Sequence, residues 1–238
     1  MSDKTIGVIG GMGPEATADF LRRIIVATPA RDDADHVRVL VDNNPKIPSR
    51  IAALIEGGGE APLPTLIAMA QGLERQGADF LAIPCNTAHY YLPRIAGAVS
   101  VPVLDMVALS ILRLEKLSPK PRRIGMLASP AVQKFGLYES RLRDAGFAAL
   151  FPPPDGEAKM LGIIRAVKSA TLSEKHRRDY VEIAQALERE GATALLIACT
   201  ELSVIGPPPG VKMPIIDAPD VLVRESVGRA KAPCTADS

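Results

Sequence analysis

The sequence predicts an α/β fold made of two similar, pseudo-symmetric α/β domains with mostly parallel sheets. Two observations lead to this prediction. Short apolar runs alternate with helix-length amphipathic segments along the chain, and the same landmarks recur in the same order in its second half. Strands that alternate with helices form parallel sheets that are covered on both faces. A chain of 238 residues with 47% hydrophobic content is long enough for two such domains, each with a core.

The first half of the chain begins with an apolar run that leads through the glycine-rich string GGMGP into a helical pattern. Apolar runs predict strands, and we expect a buried one at 37–41. The strands of this half are expected at residues 5–9, 37–41, 80–83 and 101–104. Apolar positions at helical spacing predict helices at 16–25, 66–76 and 88–98.

The second half repeats this rhythm. Strands are expected at 123–127, 193–198 and 213–216, and helices at 132–143, 158–167 and 172–190. The proline-rich strings FPPPDG and GPPPG interrupt the pattern and are expected to be loops. We assign residues 1–104 together with a returning segment, 215–238, to the first domain and residues 105–214 to the second.

Internal similarity supports the two-domain prediction. The string LERQGA at 73–78 recurs as LEREGA at 187–192, which is 114 positions later, and the same offset relates Cys85 to Cys199. The string IG recurs after 118 positions, and a proline shortly before an aspartate recurs after 112. LER and GA are common at helix ends, so chance could produce one match. Agreement of several landmarks in order favours a duplicated unit.

Composition excludes several classes of protein. The formal net charge is +1, with 28 basic and 27 acidic residues and no dominant Lys/Arg cluster, so we expect no nucleic-acid partner. The first residues, MSDKTIGVIGGM, lack a signal-peptide pattern. Apolar runs fall far short of the roughly 20 residues that span a bilayer. We therefore expect a cytoplasmic protein that does not associate with membranes.

The three cysteines, Cys85, Cys199 and Cys234, have neither disulfide nor zinc spacing, so they are expected to be free thiols with no metal. The matched pair would lie at the carboxyl ends of equivalent strands, where open α/β sheets bind ligands. Two thiols that flank a carbon could remove a proton from one face and return one to the other. Helix N-termini would lower their pKa values. A buried structural thiol is the alternative for either cysteine alone.

The string GMGPEA formally fits the glycine pattern of a dinucleotide site, but its expected acidic partner should end the next strand about 20 residues on. Asp42 ends that strand and lies 31 positions after Gly11. We expect instead that the loop holds a carboxylate with backbone N–H groups, so that Met12 and Gly13 touch the ligand. The sequence contains no Walker loop, HExxH or GxSxG motif.

Four strings together carry a family resemblance: GGMGPEAT at 10–17, NNPKIPSR at 43–50, PCNTAH at 84–89 and ACTELSVI at 198–205. They resemble the aspartate/glutamate racemase family, and most of all its cofactor-independent aspartate racemases, over nearly the whole chain to about residue 227. The resemblance implies an active site between two α/β domains, a homodimer, no cofactor, and Cys85 and Cys199 as the acid/base thiols. The family generally has glycine where this chain has Ala198.

The resemblance further implies that Arg50 binds the substrate's side-chain carboxylate and that Lys168 lies near the cleft. Either residue could instead be an ordinary surface cation, and Lys168 would also suit a helix end. Glu201 is a candidate partner for the substrate's ammonium group or a first-turn helix acid. The full set of expected substrate-binding residues is Met12, Gly13, Asn43, Arg50, Asn86, Thr87, Lys168, Thr200 and Glu201.

The predicted function is the interconversion of L- and D-aspartate, a small acidic amino acid, without pyridoxal phosphate or metal. Asn86, Thr87, Thr200 and backbone N–H groups would stabilise the carbanion-like state at the α-carboxylate. The alternatives are a glutamate or broad-specificity amino-acid racemase, or an isomerase or lyase acting on maleate- or malonate-like acids. A non-catalytic carboxylate-binding protein would have no use for two matched cysteines.

Overall fold

Two parallel β-sheets organise the fold. The structure, a computed structural model, describes residues 3–50 and 61–232. The first sheet has the strand order β2-β1-β3, with β1 at Ile6–Gly10, β2 at Val39–Asn43 and β3 at Phe80–Ala82. The second has the order β5-β4-β6-β7, with β4 at Arg123–Ala128, β5 at Ala148–Leu150, β6 at Ala194–Ala198 and β7 at Ile215–Asp217.

Helices connect the strands, as parallel pairing requires. Short 3₁₀ helices at Asp33–Asp35 and Thr87–Tyr91 supplement them. The described α-helices are α1 Pro14–Ala27, α2 Leu63–Arg75, α3 Leu92–Ala96, α4 Met106–Glu115, α5 Pro130–Lys134, α6 Glu139–Asp144, α7 Pro154–Lys168, α8 Glu174–Arg189, α9 Thr200–Ile205 and α10 Ala218–Lys231. Within 3–50 and 61–232, no helix is both long and apolar enough to cross a membrane.

The two sheets repeat one another in strand order and register. Ile6 of β1 faces Phe80 of β3, and Ile124 of β4 faces Ala194 of β6. These pairs are related by offsets of 118 and 114 positions, the same offsets that the sequence landmarks show. The central strands β1 and β4, and their neighbours β3 and β6, therefore occupy equivalent places.

Three apolar clusters fill the space around the sheets. One outer cluster packs α2 and α3 against the first sheet, and another packs α7 and α8 against the second. A third cluster draws side chains from both halves, among them Phe20 of α1, Met106 of α4, Tyr138 and Leu222 of α10. Because this cluster is shared, the two halves pack directly against each other.

The sheet that contains the last strand, β7, differs from the one that the predicted domain bounds imply. Residues 215–238 are assigned above to the first domain, but β7 pairs in parallel with β6 and forms the edge of the second sheet. The helix that follows, α10, packs against α1 of the first half and against α4. Because β7 pairs with β6, this strand belongs to the second unit. The helix α10, in contrast, also contacts the first unit. The division into two units otherwise stays a prediction.

Other elements differ in detail. The strand at 37–41 is predicted to be buried. In the structure the corresponding strand, β2, lies at the edge of the first sheet, and Val41 is 37% exposed. The strand expected at 101–104 is reduced to a single bridge between Leu81 and Val103. The helix expected at 132–143 is divided into α5 and α6 around Gly136, whose φ of 57° is left-handed and ends a helix.

The helix expected at 88–98 begins as a 3₁₀ helix and continues as α3. Pro93 lacks an amide hydrogen and is favoured in a first turn, so a new α-helix starts beside it. The sequence patterns above do not identify β5, α4 or α10.

Candidate active site

A cleft lies where the carboxyl ends of β3, β4 and β6 meet. The residues that line it come from both halves: Met12, Arg50, Cys85, Asn86, Thr87, Ser129, Ile164, Lys168, Ala198, Cys199, Thr200 and Glu201. The cleft thus brings together both predicted thiols and most of the predicted substrate-binding residues.

Two predicted residues, Gly13 and Asn43, are not among those that line the cleft. Asn43 ends the edge strand β2 with its side chain exposed. Gly13 lies nearby, since a Cβ atom built on it would be 3.8 Å from Glu201 Oε1. The positions of Gly13 and Asn43 therefore support direct contact with a ligand less well than the positions of the lining residues do.

Cys85 follows β3 and is 4% exposed. Its Sγ lies 3.4 Å from the hydroxyl of Thr87, and its backbone carbonyl is 2.9 Å from Nδ1 of His89. Nε2 of His89 accepts a hydrogen bond from the Met106 amide at 3.1 Å, so Nδ1 carries the hydrogen and donates to Cys85. Burial lowers the pKa of His89 and keeps the ring neutral. His89 therefore fixes the backbone of Cys85 rather than facing the cleft.

Cys199 follows β6 at the N-cap position of α9 and is 5% exposed. Its thiol donates to Glu201 Oε2 at 3.2 Å. Burial and the adjacent Glu201 carboxylate raise the pKa of Cys199 well above its ordinary value, against a smaller opposing effect of Lys168. The backbone of Leu202 in the first turn of α9 lowers this pKa, as expected for a helix N-terminus, but burial and the Glu201 carboxylate outweigh it and the net direction is upward.

Glu201 is a buried hydrogen-bond acceptor among the cleft residues of the second half. Besides the thiol, its Oε2 accepts from the Thr200 hydroxyl at 3.4 Å. Its Oε1 lies 3.3 Å from the ammonium of Lys168, an ion pair without hydrogen-bond geometry, so Oε1 has no hydrogen-bond donor among the described residues. Glu201 can therefore accept a further donor from a ligand.

Three other cleft residues have buried polar atoms without partners among the described residues: Nε of Arg50, Nδ2 of Asn86 and Oγ of Ser129. Arg50 is held by bonds from Nη1 to the carbonyls of Ile47 and Pro48 at 3.4 and 3.1 Å. Buried polar groups normally have partners, so unpaired donors around one cleft indicate a ligand with acceptor oxygens. Carboxylates fit this requirement.

The glycine-rich loop before α1 is held in place partly by its own backbone. The amide of Gly11 donates to the Thr17 hydroxyl at 2.9 Å, so it is not available to a ligand. Gly11 has a φ of 91°, and a Cβ atom on it would lie 2.3 Å from backbone atoms of Asn44. The loop thus packs tightly on its neighbour, and Met12 of this loop lines the cleft.

Ser129 and Ile164 line the cleft but are not among the predicted site residues. Ser129 directly follows β4, and the offset of 118 positions equates it with Gly11. Ile164 precedes Lys168 by one helical turn on α7, which places both on the same face. Both signals were present in the sequence. Within the described parts of the chain, no group of three or more His, Cys, Asp or Glu side chains is placed to hold a metal ion.

Residues 9–226 match the sequence profile of the family described as Asp/Glu/Hydantoin racemase. The chain belongs to this family. It is therefore a racemase, an isomerase that inverts a stereocentre, and the predicted enzyme class and fold class are confirmed.

Individual relatives agree with this assignment. The chain is 27% identical over 229 residues to the broad specificity amino-acid racemase RacX of Bacillus subtilis (strain 168), covering 93% of this chain and 96% of that protein. It is 31% identical to the structure of Picrophilus torridus aspartate racemase, covering 95% of this chain and 94% of that one with a TM-score of 0.84. An aspartate racemase homologue from Pyrococcus horikoshii OT3, 22% identical with a TM-score of 0.77, shares the fold over 96% of this chain and 100% of that one.

Proposed function

We propose that this racemase interconverts L- and D-aspartate without a cofactor, with Cys85 and Cys199 as its two acid/base groups. The observation that carries the proposal is the placement of both thiols in one cleft, each at the carboxyl end of an equivalent strand. A pair of chemically equivalent proton carriers is what inversion at carbon requires, because one removes the α-proton while the other supplies a proton to the opposite face.

The hydrogen bond from Cys199 to Glu201 defines the starting state for one direction. Cys199 is a thiol there, so it acts as the acid. The two-thiol mechanism then requires Cys85 to act as the base, in its thiolate form, in this direction. Cys85 takes the α-proton, the electron pair of the broken C–H bond passes to the α-carbon and its carboxylate, and the thiol proton of Cys199 completes the new C–H bond. Cys199 ends as thiolate and Cys85 as thiol, which is the starting state for the other enantiomer.

The polar groups of the cleft support both steps. The free donor of Asn86, with the hydroxyls of Thr87 and Thr200, suits the α-carboxylate as negative charge develops there. Glu201 Oε1 suits the substrate's ammonium group. An ammonium at Glu201 offsets the carboxylate charge that raises the pKa of Cys199, so substrate binding assists the thiolate state that the reverse direction needs.

Arg50 supports the preference for a substrate with a second carboxylate. Arg50 is 8% exposed, lines the cleft and retains an Nε without a hydrogen-bond partner among the described residues. A planar guanidinium binds a carboxylate through two parallel hydrogen bonds. The Picrophilus torridus relative carries the name aspartate racemase, which supports aspartate as the substrate. The name of the Bacillus subtilis relative makes broad specificity the alternative to test.

The test is racemisation in deuterated water with no cofactor added. L- and D-aspartate, glutamate, alanine and asparagine are incubated separately, with enantiomers resolved by chiral chromatography and α-deuterium measured by mass spectrometry. We expect aspartate to be the best substrate and the rate to withstand dialysis against EDTA and treatment with hydroxylamine. Equal rates on all four amino acids would support the broad-specificity alternative. Light scattering tests the accompanying expectation of a homodimer.

Cysteine variants test the mechanism. Cys85→Ser and Cys199→Ser should each reduce racemisation by about 10²–10⁴-fold, the usual contribution of an acid/base group. Cys234→Ser, which changes the remaining cysteine of the chain and lies outside the described residues, is the matched control and should keep the wild-type rate. Full activity in either of the first two variants would contradict the two-thiol mechanism.

A further inference from the structure

Tyr138 extends from the second half of the molecule to a cleft residue of the first. Its hydroxyl donates a hydrogen bond to Oδ1 of Asn86, with 2.6 Å between the oxygen atoms. Tyr138 is fully buried and Asn86 is 2% exposed. Tyr138 does not line the cleft, so it can influence a ligand only through Asn86.

The direction of this hydrogen bond determines what Asn86 offers to a ligand. Burial raises the pKa of Tyr138 far above its ordinary value, so the phenol keeps its proton and acts as a donor. The amide oxygen of Asn86 therefore faces the phenol. The amide nitrogen, Nδ2, is buried without a partner among the described residues, on a side chain that lines the cleft. Asn86 thus presents a donor rather than an acceptor to the cleft.

The contact that the internal repeat equates with this one lacks both the hydroxyl and the amide. The offset of 118 positions equates Tyr138 with Phe20, and the offset of 114 equates Asn86 with Thr200. Phe20 is buried in the same apolar cluster as Tyr138 but has no hydroxyl, and Thr200 has no amide to orient. The hydroxyl of Tyr138 thus meets the amide of Asn86 in the opposite half, whereas the equivalent residues Phe20 and Thr200 provide neither a ring hydroxyl nor an amide.

We propose that Tyr138 is a positioning residue that fixes the amide of Asn86 so that its NH₂ group donates to the α-carboxylate of the substrate. This inference rests on the proposed function. It adds a residue from the opposite half to the substrate site. Without the phenol, the side-chain amide of Asn86 is free to rotate and to turn its oxygen toward the substrate. That oxygen and the substrate carboxylate would repel each other.

A double-mutant cycle tests the inference. The four proteins are wild type, Tyr138→Phe, Asn86→Ala and the double variant, assayed with the acidic amino acid that the wild type racemises best. Tyr138→Phe should reduce kcat/KM by about 3- to 10-fold, the size of one hydrogen bond, and Asn86→Ala by about 10- to 100-fold, because its partner is charged. In the Asn86→Ala background, Tyr138→Phe should change kcat/KM by less than about twofold.

Two controls separate positioning from general damage. The equivalent residue Phe20 shows that an unhydroxylated ring packs in such a site, so Tyr138→Phe should fold, which circular dichroism and thermal unfolding verify. Ser226→Ala removes another buried hydroxyl, on α10 and outside the cleft lining, that has no hydrogen-bond partner among the described residues, and should keep activity within about twofold of wild type.

The outcomes distinguish the inference from the function on which it rests. If the wild type racemises aspartate but Tyr138→Phe matches it, the inference is wrong and the proposed function stands. If Tyr138→Phe costs the same factor with and without Asn86, Tyr138 acts by a route other than the amide and the inference is also wrong. A wild type that racemises no acidic amino acid would overturn the proposed function and the inference with it.

Discussion

The thiol of Cys199 donates a hydrogen bond to the carboxylate of Glu201, with 3.2 Å between Sγ and Oε2. No equivalent carboxylate contacts Cys85 within the described structure, where the neighbouring polar side chain is the hydroxyl of Thr87. Two thiols that occupy equivalent places therefore have different environments. The environment of Cys199 keeps its thiol protonated, because burial and the Glu201 carboxylate raise its pKa.

Neutralising Glu201 should lower the pKa of Cys199. Burial and then Glu201 are the largest causes of its raised pKa, and Glu201→Gln removes the second of them. Because only the thiolate reacts with iodoacetamide, alkylation of Cys199 should begin at lower pH in Glu201→Gln. The measurement uses a Cys85→Ser, Cys234→Ser background, in which Cys199 is the remaining thiol of the chain.

The control for this experiment is Glu182→Gln, which neutralises a glutamate that pairs with Lys159 on the protein surface. It should leave the alkylation profile of Cys199 unchanged. An unchanged profile in Glu201→Gln as well would show that burial alone sets the pKa of the thiol.

Lys168 should contribute to substrate affinity. Its ammonium lines the cleft 3.3 Å from Glu201 Oε1 and adds positive charge where an acidic substrate would bind. We expect Lys168→Met to raise KM for aspartate about tenfold, with the effect shrinking at high salt as charges are screened. Lys159→Met is the matched control, since Lys159 lies on the same helix and pairs with Glu182 outside the cleft. If Lys168→Met left KM unaltered, Lys168 would not contribute to substrate affinity, and its role would be to balance the charge of Glu201.

The sequence predicted the composition of the cleft better than its electrostatics. Cys85 and Cys199 could be placed together because their offset and their positions after apolar runs are visible in one dimension. The raised pKa of Cys199 could not be foreseen, since its sign depends on how the first turn of α9 folds the Glu201 side chain back against the sulfur. A pattern specifies which residue types occur near a strand end but not which atoms meet.

Two equivalent glycines should be intolerant of a methyl group. A Cβ atom on Gly7 of β1 would lie 2.5 Å from Leu81 Cδ2, and one on Gly125 of β4 would lie 2.6 Å from Leu195 Cδ2. Gly7→Ala and Gly125→Ala should each lower the free energy of unfolding by about 1–3 kcal/mol, because the core has no room for the methyl. Urea unfolding followed by circular dichroism measures the change.

Gly162→Ala provides the contrasting control for these substitutions. Gly162 lies inside α7, and a Cβ atom on it would meet no neighbouring side chain within 4 Å, so alanine should raise the free energy of unfolding by up to about 1 kcal/mol through its higher helix propensity. If Gly125→Ala were equally stabilising, the close packing of β4 against β6 would be contradicted.

The fold was predictable to the level of repeated strands and helices but not to the level of which sheet receives the last strand. An apolar run at 213–216 predicts a strand, yet pairing depends on which sheet edge is free when the chain returns. The break between α5 and α6 at Gly136 depends on a single left-handed residue that a window of apolar positions averages away. Local pattern therefore identifies elements, and packing decides their partners.

Two ion pairs related by the internal repeat link the halves. Arg23 of α1 pairs with Asp217 at the end of β7, and Arg141 of α6 pairs with Asp105 at the start of α4. Arg23 and Arg141 are 118 positions apart, and the two aspartates are 112 apart. Each arginine thus pairs with the aspartate that follows the last apolar run of the other repeat.

Removing the less exposed of these pairs should destabilise the protein in a pH-dependent way. The side chains of Arg23 and Asp217 are 18% and 19% exposed, so Arg23→Met leaves a largely buried carboxylate without its cation. We expect the free energy of unfolding at neutral pH to fall by about 2–3 kcal/mol, somewhat less than for a fully buried pair. Arg224→Met, which breaks the exposed pair with Asp220, should cost less than about 1 kcal/mol.

The sign of the pH dependence follows from the pKa of Asp217. Burial raises it above its ordinary value even though Ser203 and Arg23 lower it, so removing Arg23 raises it further. A carboxyl whose folded-state pKa lies above its unfolded-state pKa costs stability at higher pH, and that cost disappears as pH falls through the folded-state pKa and the group is protonated. The deficit of Arg23→Met relative to wild type should therefore shrink on acidification in a series of urea unfolding curves. A deficit independent of pH would show that lost packing of the Arg23 side chain, rather than an uncompensated charge on Asp217, is what destabilises the variant.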